Sequence, residues 1–187
     1  MHPLTPAPFY RFRLNAHSMV YSAMCLALCL VLPFLVGQIP TLGKMLSPMH
    51  LPVLLCGFLC GWPWGLVVGF VAPLLRSLLF QMPVMFPGAI SMAFELATYG
   101  ALSGLLYRAF RKTVPGLWGA LILSMIAGRC VWGVVRFLLA GLSHTDFPFS
   151  AFWAGAVGNA IPGIILQLIL VPALVLALRA AKLAPKD

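Results

Sequence analysis

Six runs of apolar residues, parted by short turns rich in proline, glycine or basic residues, limit this chain to very few folds. In lipid no water is at hand to satisfy backbone N–H and C=O groups. Each run must therefore close its own hydrogen bonds, and helices do so. A soluble fold is excluded by composition: 8% of the 187 residues are charged, 62% are hydrophobic and mean hydropathy is +1.03, whereas soluble domains carry about 25% charged residues. The expectation is an all-α integral membrane protein, with six transmembrane helices in one compact bundle. Residues 1–17 form a leader, 18–182 the bundle and 183–187 a tail. No hydrophilic stretch is long enough for a second domain.

The spacing predicts spans over Ser18–Gly37, Met49–Trp62, Trp64–Gln81, Gly88–Phe110, Leu117–Leu142 and Phe152–Lys182. The first follows two arginines, as a signal peptide would, but it is about as long as a bilayer-spanning helix and lacks a small-residue cleavage site, so it reads as a retained span. The second is too short to cross upright: its fourteen residues cover roughly 21 Å of a core about 30 Å thick. It must be sheltered by its neighbours or continued by the third. Gly57, Gly61, Gly65 and Gly69 recur every fourth residue through that turn, interrupted by Pro63, which suits two closely packed helices. The apolar loop Gln38–Pro48 is placed to lie over a pocket as a lid or to rest on lipid headgroups.

The net charge of +9 invites a nucleic-acid reading. Nine of the 12 lysines and arginines, however, flank the spans or sit at their ends. Arg11, Arg13, Arg108, Arg111, Lys112, Arg179, Lys182 and Lys186 fall on one side of a six-span topology, and the opposite loops hold only Lys44. Lysine and arginine accumulate on the cytoplasmic side, so both termini are expected there, in a multi-pass protein of the cell membrane. No basic stripe interleaved with exposed aromatics marks a nucleic-acid surface.

Chemistry finds few parts. Glu95, Asp146 and Asp187 are the only acids, and no paired carboxylates, metalloprotease motif, nucleophile elbow or P-loop is present. Cys25, Cys29, Cys56, Cys60 and Cys130 lie in apolar runs without zinc-ligand spacing, so they read as small buried residues. Neither an enzyme, a cofactor nor a metal site is expected.

What stands out is polarity inside the spans, which is expensive in lipid and by default marks a site. His50, Arg76, Glu95, Arg136 and Asn159 fall in the outer half of the predicted bundle, with Arg129 nearer the middle and Gln167 deeper. Arg129 and Arg136 are seven apart on one helical face with Trp132 between them, and Tyr99 is one turn from Glu95. A few fixed polar groups and aromatics in apolar surroundings suit a small-molecule pocket. The candidate binding residues are therefore His50, Arg76, Glu95, Tyr99, Arg129, Trp132, Arg136 and Asn159. Three arginines against one glutamate leave an excess positive charge that an anionic ligand would offset, and arginine binds carboxylates bidentately. The alternative for any one residue is a structural ion pair or an arginine reaching to the headgroups.

Ala23 and Ala27 form a small-xxx-small notch in the first helix, fit for close helix approach. With that notch, the short second span and the runs LSPMHLPVLLCGFLCG, GFVAPLLRSLLF and MAFELATYG, residues 18–180 resemble the substrate-binding S-components of energy-coupling factor (ECF) vitamin transporters, looking most like the predicted pantothenate branch. The resemblance implies capture of a vitamin outside, under the loop Gln38–Pro48. It also implies delivery through a separate transmembrane coupling subunit and two ATPase subunits, with the alanine notch meeting the coupling subunit. Pantothenate, a carboxylate, agrees with the arginine excess. Folate and nicotinate are anions too, riboflavin stays open, and so does a small membrane scaffold or assembly factor whose charges only hold helices together.

Overall fold

The computed structural model describes residues 16–35, 47–143, 148–158 and 160–181. Most of the leader, the lid segment over 38–46, Asn159 and the tail 183–187 lie outside these residues. The described chain is helical, with no strand: α1 (Ala16–Leu35), α2 (His50–Cys60), α3 (Trp62–Phe80), α4 (Ile90–Ala109), α5 (Val114–Leu142), a short α6 (Phe149–Trp153) and α7 (Ile161–Ala180).

Five helical segments are long and apolar enough to cross a membrane: α1 with 20 residues, α3 with 19, α4 together with the turn over Met85–Ala89 with 25, α5 with 29 and α7 with 20. α2 is not. Its 11 residues rise about 17 Å, and shelter is how the fold accommodates it. Every residue of α2 is buried, because α1, α3, α4 and α7 all pack around it. The sixth predicted span also differs from expectation. It begins as the separate α6 and a wide turn over Ala154–Gly158, and the long helix starts only at Ile161.

The helix ends follow local chemistry. α5 opens on Thr113, whose hydroxyl accepts the Gly116 N–H at 3.1 Å, with a proline in the first turn that needs no N–H partner. α2 and α3 are joined through Gly61 at φ 90°, a conformation open to glycine and costly for other residues.

α4 is the centre of the bundle, packed against α2, α3 and α5. The glycine row allows it. A Cβ on Gly65 would meet the backbone of Gly100, one on Gly69 the carbonyl of Leu96, and one on Gly57 the Gly100 carbonyl and the Ser103 hydroxyl. The repeat thus joins α2 and α3 to α4 as much as to each other. Close backbone approach of this kind drives helix association where lipid removes the hydrophobic incentive. The outward faces keep large apolar side chains exposed, among them Val20 and Val31 on α1 and Ile126, Val134 and Phe137 on α5.

Two contacts define the ends of the bundle. The Phe34 and Phe80 rings meet edge to face at 4.9 Å, joining the last turns of α1 and α3. At the other end, the Arg179 guanidinium lies 4.6 Å from the Tyr107 ring, joining the last turns of α7 and α4. The start of α1 and the end of α7 therefore share the end that carries Arg108, Arg111 and Lys112.

Candidate functional site

α4 carries Glu95 into the middle of the bundle, 1% exposed. One carboxylate oxygen, Oε1, accepts from Arg129 Nη1 of α5 at 3.0 Å and from His50 Nε2 of α2 at 3.3 Å. A carboxylate only accepts hydrogen bonds, so Nε2 carries the proton of this contact. Three helices thus meet on one acid.

Tyr99, one turn along α4, turns its ring edge to His50 at 5.2 Å between centroids. It lies against Gly128, where any Cβ would run into the ring. Glycine there lets α5 approach closely enough for the next residue, Arg129, to reach Glu95. Around this centre His50 Nδ1 and Arg129 Nε are buried without a hydrogen-bond partner among the described residues, and the Tyr99 hydroxyl is buried beside Glu95 and Arg129. Buried polar atoms are nearly always paired, so two unpaired ones beside one carboxylate call for an explanation.

Farther along α5, Trp132 stacks on Phe152 of α6 with centroids 6.2 Å apart, and the Arg136 guanidinium lies 5.8 Å from the Trp132 ring. Gly133 and Gly155 make room, since a Cβ on the first would strike Phe152 and on the second would come within 2.6 Å of Trp132. Arg136 is seven residues from Arg129, about 10 Å along the helix.

Arg76 sits elsewhere. Its Nη1 donates to the Leu30 carbonyl of α1 at 2.5 Å, and its guanidinium lies beside the paired Phe34 and Phe80 rings, 5.0 and 5.4 Å from their centroids. It ties α1 to α3 near their ends, while Gly69, seven residues before it, packs at the level of Leu96. Arg76 is thus about two turns away from Glu95 along the bundle. Ala23 and Ala27 are exposed on the outer face of α1. Asn159 lies outside the described residues.

The structure therefore brings His50, Glu95, Tyr99 and Arg129 together, sets Trp132 and Arg136 beyond them, and leaves Arg76 in a helix–helix contact. Gly128 and Phe152, absent from the sequence reading, complete the packing. Phe152 was visible only as an aromatic at a predicted helix start, and Gly128 only as one glycine among 17. A separate depression of about 490 Å³, lined by Phe110, Arg111, Thr113 and Gly116 among others, lies at the α4–α5 turn, away from the carboxylate.

A bundle of membrane-crossing helices that buries one acid between an arginine and a histidine defines a multi-pass membrane protein with a polar centre. The family of ECF transporter substrate-specific components matches residues 17–175, and the chain belongs to that family. Its members are transport subunits rather than enzymes, and membership implies association with an ECF module of coupling subunit and ATPases. No curated protein and no solved structure matches the chain.

Proposed function

We propose that the chain captures a small anionic vitamin, pantothenate first among the candidates, in a pocket reached from outside the cell. The ligand would be held by His50, Glu95, Tyr99, Arg129, Trp132 and Arg136; Asn159, the remaining candidate, lies outside the described residues. The carrying observation is the cluster of unpaired buried atoms around the Glu95 ion pair. Arg129 Nε is a donor placed for a carboxylate, and Glu95 is the only acid among the described residues of a bundle that also buries the Arg76 side chain and half-buries that of Arg136. An entering anion offsets that positive excess. Trp132 and Phe152 supply the apolar wall that such pockets use.

Exposed Ala23 and Ala27 fit the docking of the coupling subunit, and the basic end of the bundle fits the cytoplasmic side of a bacterial cell membrane with both termini inside. The Arg76 contact with α1 favours a second, narrower reading for that residue alone, as a structural clasp.

The test is thermal unfolding of the purified protein with a panel of B vitamins. A ligand at a hundredfold excess over its Kd adds about 2.7 kcal/mol, which for a chain of this size raises Tm by about 5–10 °C. A shift with pantothenate that is lost in Arg136→Met supports the anion site. A shift only with a neutral or cationic vitamin refutes the charge reading and retains the transporter. No response from a folded protein returns the weight to a scaffold.

A further inference from the structure

Gln167 is 1% exposed, and neither its amide nitrogen nor its amide oxygen has a hydrogen-bond partner among the described residues. It is the one residue with a polar side chain on the buried face of α7, which otherwise presents Gly163, Val171, Pro172 and Val175. An amide sunk in apolar surroundings with both ends unpaired is unfavourable, and packing alone would be better served by leucine.

Its height in the bundle follows from the contact of Arg179 with Tyr107. Gln167 stands 12 residues before Arg179 on α7, and Glu95 stands 12 residues before Tyr107 on α4. Both separations are about 18 Å along a helix, so the amide and the carboxylate are level to within about one turn. α7 packs against α2 and α5, the two helices that bring His50 and Arg129 to Glu95. The buried face of α7 thus stands as the fourth side of a centre whose other sides are α2, α4 and α5.

We infer that Gln167 is a further ligand-binding residue of this site, and that its ligand carries an amide or hydroxyl group as well as a negative charge. The inference rests on the anion reading above and adds the second half of the ligand. A carboxylate can accept from the glutamine NH2 but offers nothing to the glutamine oxygen, which needs a donor. A hydroxyl or secondary amide both donates and accepts, and pairs both ends of the side chain. A site built to bond such a group discriminates strongly against analogues that lack it, because its buried polar atoms are then left unpaired.

Calorimetric titration with pantothenate, which has a carboxylate, an amide and two hydroxyls, tests this on the full chain in detergent. Nicotinate, a carboxylate with no donor, is the control. Gln167→Leu is expected to weaken pantothenate binding by at least about tenfold while the unliganded protein melts no lower than wild type. Gln167→Met serves as a second variant. Pantothenate binding within about twofold of wild type in either variant overturns the inference and leaves the anion site standing. So does loss of folding in both variants, which would make the amide a structural group, and so does wild-type protein that prefers nicotinate. A folded wild type that binds no pantothenate overturns the anion reading together with this one.

Discussion

Replacing Glu95 by glutamine tests the centre of the site with almost no change of shape. The amide oxygen can still accept from Arg129 and His50, so packing is kept and only the charge is removed. The structure sets the size of the effect. Arg129 Nη1 lies 3.0 Å from Oε1, a separation at which two unit charges attract by about 5 kcal/mol for an effective dielectric constant near 20. The hydrogen bond to His50 contributes little beside that, since interhelical hydrogen bonds in membranes average about 0.6 kcal/mol. The dominant loss is the uncompensated guanidinium, and breaking a buried pair from one side costs about 3–5 kcal/mol. Glu95→Gln should therefore lower Tm by about 6–20 °C without ligand, read by thermal unfolding in detergent. Removing both charges in Glu95→Gln/Arg129→Met should recover much of this, because no charge is then left buried and alone. A loss below about 1 kcal/mol, or a double variant as unstable as the sum of its parts, would refute the view that a desolvated ion pair holds α4 and α5 together.

Gly100→Ala should destabilise the fold by about 1–3 kcal/mol, since the new Cβ meets the backbone of Gly65 and must push α3 away. Gly141→Ala, with nothing near its Cβ, should instead stabilise by about 0.5–1 kcal/mol in the same unfolding assay. Ala23→Leu together with Ala27→Leu should abolish uptake in cells supplied with an ECF module, while vitamin binding by the isolated chain stays unchanged. At the basic end, burial and then the neighbouring Arg179 and Arg108 hold the Lys112 ammonium below the usual lysine range. The folded state then sheds this proton before the unfolded state does, so stability rises with pH as the solution approaches pH 10 from below. Lys112→Met should remove that rise in a pH series of melting curves.

Hydropathy and turn residues were enough to read a helical membrane bundle from the sequence, because in lipid an apolar run has no other way to satisfy its backbone. The shortness of α2 was legible for the same reason, as arithmetic on residues and rise. Its full enclosure was not, since that depends on four other helices. The polar residues were also legible as a group, because their expense in lipid marks them wherever they fall. Their partners were not. His50, Glu95 and Arg129 are 45 and 34 positions apart along the chain, and only helix rotation and crossing decide that they share one oxygen while Arg76 turns to α1. The glycine row shows the same division. Its period announced a close approach, but backbone packing chose α4 as the partner, because Gly100 and Gly104 on that helix leave the matching space. Composition and periodicity thus determined the solvent, the helices and the residue types of a site. The tertiary structure decided which of those residues meet, because a helix's sequence sets which faces it offers and only its neighbours set which face is met.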